Sequence, residues 1–258
     1  GTLVFIFHFY RLLTPLQLDY CSSTSQKFTR FGVLISFILI LSIPGNMSGD
    51  FLGIIDTNMI NLSIDTLALK ASLLLFIGFI LIYFLPVKFK NIFLIGNISA
   101  IFIILFSFIV IGHSTKGGIL TQSLIIIHLI GLSYWIGSLL PLKKMCNTAD
   151  FNELKAITHS FGNYAVFYIL ALLIAGSIFS LILIGDISNL LNTLYGNVLI
   201  IKFLFAMLLI SLGALNKLFF VPRLDINNAT TIIKLKRSIN GEMIIVLIIF
   251  FLTSLLTT

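Results

Sequence analysis

His128 stands inside the apolar run Leu120–Leu142, and the chain's single tryptophan, Trp135, follows seven residues later. An imidazole in hydrocarbon is costly, so a histidine there points to function. His8 sits in the apolar N-terminal run, and His113 directly follows Gly112 at the end of another. On helices, His128 lies about 12 Å below one surface and His8 near the middle of its span, so the two rings can meet at one depth. Facing imidazoles at that depth suit a soft or borderline metal such as copper, or a haem iron. The fourth histidine, His159, opens a later helix, where an interfacial ring needs no special role.

Other side chains could support such a site. Trp135 shares a face with His128 at i+7, as a wall or lid, and Gly131, Gly137 and Ser138 nearby let neighbouring helices approach closely. A segment without Lys or Arg, GNMSGDFLGIIDTNMINLSID, carries Met47 and Met59, whose thioethers suit Cu(I), with Asp50, Asp56 and Asp65. Those methionines could equally anchor the loop to lipid. Lys70 and Lys202 can snorkel to headgroups or pair with an acid such as Asp65. Glu242, read at the start of the last helix, could relay a proton or a metal, or simply serve the helix dipole.

Helices must position all of these. Apolar residues make up 59% of the 258 and charged residues only 10%, too few for a soluble surface. Runs apolar all round exclude a transmembrane barrel, whose strands alternate. The expected fold is therefore an all-α integral membrane protein with eight transmembrane helices in a single domain, residues 1–258. The spans read as about Gly1–Leu18, Phe31–Asn46 closed by Pro44-Gly45, Thr66–Pro86, Asn91–Gly112, Leu120–Leu142, Phe161–Ile184, Tyr195–Val221 and Gly241–Thr258. The first opens at Gly1 with no charged flank, so a few residues of that helix are expected to precede it. It does not read as a signal peptide.

Charge sets the orientation. Arg11, Lys27, Arg30, Lys88, Lys90, Lys143, Lys144, Lys155, Lys217, Arg223, Lys234, Lys236 and Arg237 fall on one side, leaving three of the 16 basic residues elsewhere. The positive-inside rule makes that side cytoplasmic and both termini periplasmic. The net charge of +7 is thus a topology signal and argues for no nucleic-acid partner. Cys21 and Cys146 are both read as cytoplasmic and are not expected to pair. No phosphate loop, GxGxxG or nucleophile elbow is visible, so the chain is not read as an enzyme.

Four pieces in order carry a resemblance. His128–Leu142, HLIGLSYWIGSLLPL, resembles the H…W-x-G…L-x-L helix of the CopD family of bacterial copper-resistance and copper-uptake membrane proteins. Gly112-His113-Ser114, the Tyr195–Leu224 helix and Lys234–Thr258 resemble three further family segments. The resemblance covers about residue 112 to the C-terminus and singles out His113, His128, Trp135, Tyr195, Lys202, Asn216 and Glu242. It implies copper handling in the bacterial inner membrane, beside a periplasmic copper-binding partner of the CopC type. The expected function is copper import, Cu(I) or Cu(II), through His128, His113, His8, Met47 and Met59. Trp135, Lys202, Asp65, Glu242 and Tyr195 would support them. A haem-binding electron-transfer protein and a copper-insertion or scaffold subunit of a larger complex are the competing readings.

Overall fold

The computed structural model describes residues 1–85, 90–111, 118–224 and 229–257, with the backbone alone at residues 90–94, 229 and 257. Among the described residues there are ten α-helices and no strand. They are α1 Thr2–Phe9, α2 Pro15–Ser48, α3 Thr57–Ile64, α4 Leu67–Phe84, α5 Lys90–Val110, α6 Gly118–Thr148, α7 Phe151–Ile184, α8 Asn189–Asn192, α9 Leu194–Leu215 and α10 Ala229–Thr257. A short 3-10 turn covers Phe51–Ile54 and a π-helical turn covers Asn216–Phe220. Among the described residues, six helical stretches are long and apolar enough to cross a membrane: Pro15–Ser48, Leu67–Phe84, Gly118–Thr148, Phe151–Ile184, Leu194–Phe220 and Thr230–Leu256. A shorter apolar run, Ile95–Val110, lies in α5. This is an all-α membrane protein.

The helix ends correct several sequence expectations. The expected first span, Gly1–Leu18, is broken: α1 ends at Phe9 and α2 begins at Pro15. The cause is legible in Thr14-Pro15-Leu16-Gln17. Proline disfavours helical geometry at Thr14 but suits the first turn of a new helix. Thr14 N–H then donates to Gln17 Oε1 (3.1 Å), and Gln17 N–H donates to Thr14 Oγ1 (3.4 Å). That reciprocal pair is a capping box. Pro44-Gly45 does not close α2, which runs on to Ser48. At its cytoplasm-facing expectation Leu142, α6 does not stop either, and it continues to Thr148. α7 begins at Phe151, ten residues before the expected Phe161, with Glu153 in its first turn where the dipole favours it. α10 starts at Ala229, not Gly241. The basic stretch Lys234–Arg237 consists mostly of good helix formers, and a lone glycine after it does not end a helix.

The chain divides into two compact units, Gly1–Cys21 with Ile130–Thr258, and Ser22–Leu129. In the first, α1 is anchored by Leu3, Phe5, Ile6 and Phe9, which are buried. Its approach to α6 is close enough that a Cβ on Gly137 would collide with the main chain of Gly1. A Cβ on Gly131 would meet Leu172 Cβ at 2.8 Å and Tyr168 O at 2.9 Å. These two glycines make the close seams of α6 with α1 and α7, as small residues do between membrane helices. The buried face of α7 runs Leu154, Ile157, Thr158, Gly162, Ala165, Leu172 and Ala175, a stripe at helical spacing. Its other face exposes Phe167 and Leu170, which suits a helix solvated by lipid.

In the second unit, α4 packs on α5 where a Cβ on Gly78 would strike Ile104 Cγ1 at 2.5 Å. Phe37 of α2 meets Phe76 of α4 with ring centroids 6.1 Å apart. The acids between α2 and α4 act as caps. Asp50 Oδ1 accepts from Leu52 N–H (3.4 Å) and Asp56 Oδ1 from Asn58 N–H (2.8 Å). Thr66 Oγ1 accepts from Leu69 N–H at 3.2 Å and so opens α4.

Candidate functional site

Two polar clusters sit within the first unit, each built from helices that are otherwise apolar. The first surrounds His8. Its Nδ1 lies 2.9 Å from Val4 O one turn back, and its Nε2 lies 2.9 Å from Tyr168 Oη on α7. A carbonyl oxygen only accepts, so Nδ1 carries the hydrogen. In the neutral ring Nε2 therefore holds the lone pair and receives the Tyr168 hydroxyl. The ring is walled by Tyr134, Tyr164 and Tyr168 in edge-on contact, at centroid distances of 5.1, 5.6 and 5.5 Å. Tyr134 is 0% exposed and stacks between Tyr168 (4.2 Å) and Phe161 (5.3 Å), while its hydroxyl donates to Phe161 O at 3.0 Å.

The second cluster centres on Glu242, which is 3% exposed. Trp135 Nε1–H donates to its Oε2 at 2.9 Å, and the Asn216 amide donates a short hydrogen bond to its Oε1. A buried indole N–H needs an acceptor, and α10 supplies it. The start of α10 at Ala229 puts Glu242 about 20 Å along the helix, so a cap at a helix start no longer explains it. Asn216 begins the π-helical turn, closed by Val221 N–H donating to Asn216 O at 2.9 Å, five residues apart. Such turns recur at functional sites because they re-aim one side chain without ending the helix. On the same turn, Lys217 Nζ donates to Gly162 O at 2.9 Å. Its stem lies where a Cβ on Gly162 would come within 3.2 Å of Lys217 Cγ.

This second cluster is not closed. Among the described residues, Asn216 Oδ1 and, one turn before Glu242, Ser238 Oγ are buried without a hydrogen-bond partner. Beside the cluster lies a largely apolar cleft of about 370 Å³ whose lining includes Trp135, Asn216, Lys217 and Glu242. Val166 and Leu170 of α7 and Leu218 of the π-helical turn line it and are exposed on the outer face of the unit. The cleft therefore opens sideways between helices.

The remaining expected site residues fall as follows. His128 is half-buried on α6, in the second unit. His113 lies outside the described residues. Met47 is exposed at the end of α2, and Met59 is half-buried on α3. Lys70 Nζ donates to the backbone oxygen of Asp65 at 3.3 Å, the behaviour of an exposed lysine folding back over a helix start. Lys202 is half-buried on α9. Tyr195 lies in the first turn of α9, which Thr193 caps by accepting from Gly196 N–H at 3.0 Å. His159 is exposed inside α7, not at its start, 3.4 Å from the Asn163 amide. Among the described residues no three His, Cys, Asp or Glu side chains converge.

Sequence reasoning missed Tyr134, Tyr164, Tyr168 and Lys217. A signal was present: Tyr164 and Tyr168 stand four apart on a helix that is otherwise apolar, so both hydroxyls share a face and need partners.

Residues 155–256 match the family model described as copper resistance protein D, CopD. That stretch, about two-fifths of the chain, is what the sequence shares with the CopD family. Asn216, Glu242, Tyr164 and Tyr168 lie inside it, whereas His8, His128 and Trp135 lie outside. No curated protein and no solved structure matches the chain.

Proposed function

We propose, from the CopD match over residues 155–256, that the chain handles copper in the bacterial inner membrane and moves it from the periplasmic side to the cytoplasm. The match carries this reading; copper is cargo, not a resident cofactor, and the role is transport, not catalysis. Both termini then face the periplasm, and the basic ends of the spans face the cytoplasm. A bare cation in hydrocarbon is prohibitively costly, so transfer goes by ligand exchange. Met47, Met59 and His113 receive the ion at the outer side, and His128 and His8 hold it deeper.

Support for His8 comes from its tautomer. The hydrogen bond to Val4 O orients the ring and directs the Nε2 lone pair at the Tyr168 hydroxyl, so an ion is taken up there by displacing that hydrogen bond. Tyr168 Oη at 2.9 Å adds an oxygen donor, and a nitrogen–oxygen pair suits Cu(II). A two-donor station fits an ion that must leave again. Inward movement of a cation gains about 2.3 kcal/mol per charge per 100 mV of membrane potential. A periplasmic CopC-type protein would supply the ion.

His128→Ala is expected to abolish stoichiometric copper binding by the detergent-solubilised protein while its helical circular dichroism stays unchanged. Elemental analysis reads the metal, and equal copper in variant and parent would remove His128 from the path. An absorption spectrum of the same sample tests the competing chemistry: a Soret band would replace copper transport with haem-based electron transfer. Copper uptake into proteoliposomes separates a transporter from a scaffold subunit.

A further inference from the structure

The cleft beside Glu242 is too large and too apolar for an ion. At about 370 Å³ it falls in the size range of small-molecule pockets, which are mostly apolar with a few convergent polar groups. Its inner end offers acceptors. Among the described residues the Glu242 carboxylate has only two neutral donors, Trp135 and Asn216, and no cation. Asn216 Oδ1 is buried without a donor. Lys217, the cation nearest in sequence, spends its ammonium on Gly162 O. A buried acceptor left open costs free energy until a donor arrives. The occupant must therefore bring hydrogen-bond donors on its head.

Two further observations narrow the class. Val166, Leu170 and Leu218 line the cleft and are exposed on the outer face, so an apolar tail can leave directly into lipid. Lys217, the cation that lines the cleft, is held by Gly162 O, so the inner end presents acceptors and a phosphodiester head finds no partner there. A neutral head with hydroxyl donors meets both conditions.

We propose that this cleft binds a neutral membrane amphiphile of the hydroquinone class. Its hydroxyls donate to Glu242 and to Asn216 Oδ1, its ring lies against Trp135, and its tail passes out between α7 and α9. The proposal goes beyond the copper reading and stands on different residues, so failure of either leaves the other intact.

Trp135 is the only tryptophan, so its emission reports on this cleft alone. The test titrates the detergent-solubilised full chain with a hydroquinone bearing a decyl tail, and in parallel with its dimethyl ether, which has the same shape and no donors. A saturable change with the hydroquinone, at least about tenfold weaker with the ether, is expected. Ala214→Phe, which fills the cleft from the α9 wall, and Glu242→Gln should each weaken the hydroquinone by a similar factor, with folding checked by circular dichroism. An equal response to the two probes, or an unchanged response in Ala214→Phe, overturns the proposal. Displacement of the probe by phosphatidylethanolamine in nanodiscs also overturns it, assigning the cleft to bulk lipid.

Discussion

The His8 and Glu242 clusters solve the same problem in opposite ways. Each buries polar groups among apolar helices of one unit, where an unmet donor or acceptor is expensive. Around His8 every hydrogen-bonding group that faces inward is met: Nδ1 by Val4 O, Nε2 by the Tyr168 hydroxyl, and the Tyr134 hydroxyl by Phe161 O. The rings fill the remaining space by stacking. Around Glu242 the carboxylate is held by Trp135 and Asn216, yet Asn216 Oδ1 and Ser238 Oγ stay open and a cleft adjoins them. A closed cluster rigidifies a fold and takes an ion only by exchanging it for the Tyr168 hydroxyl. An open one keeps a vacancy for a guest.

That contrast can be broken by substitution, with thermal melting in detergent as the measurement. The largest effect is expected from Tyr134→Ala, which empties the centre of the aromatic stack. By the behaviour of other buried aromatics the loss is about 3–5 kcal/mol. A loss under about 1 kcal/mol would mean the stack is not structural. Trp135→Phe keeps the ring volume largely in place but removes the donor to the Glu242 carboxylate, so roughly 1.5–3 kcal/mol should go. Tyr168→Phe deletes a hydrogen bond between neutral partners and should cost about 1 kcal/mol. If it equals Trp135→Phe, the two clusters are not different in kind. Ser238→Ala removes a buried hydroxyl that has no partner, so the melting temperature should hold or rise slightly. A clear fall would show that the hydroxyl is satisfied, and the Glu242 cluster would then be less open than drawn.

Much of the fold can be read from residue types. Seven of the eight expected spans correspond to helices, α2, α4, α5, α6, α7, α9 and α10, because about twenty apolar residues in a row have few other stable forms. The errors lie at helix ends. Gly1–Leu18 reads as one apolar run only if the capping box Thr14-Pro15-Leu16-Gln17 is overlooked. α6, α7 and α10 outrun their apolar cores, because hydropathy marks where lipid can lie and not where hydrogen bonding along the helix stops.

The site was legible in part. Trp135, Asn216 and Glu242 stand out by their resemblance to CopD segments, and the structure joins all three within hydrogen-bond reach. His8 stands out as an imidazole in an apolar run, but its tyrosine surroundings do not, since Tyr168 lies 160 residues away.

Local rules set by the order of residues were enough to establish the class of the protein, its helical and lipid-solvated character and the rarity of its polar side chains. Each follows from neighbours along the chain and from the free energy of burying a side chain. Only the packing decided which of those polar groups are paired off and which stay open, because hydrogen-bond partners of a membrane helix come from other helices. α10 determines what Trp135 is for, and α7 determines what His8 is for.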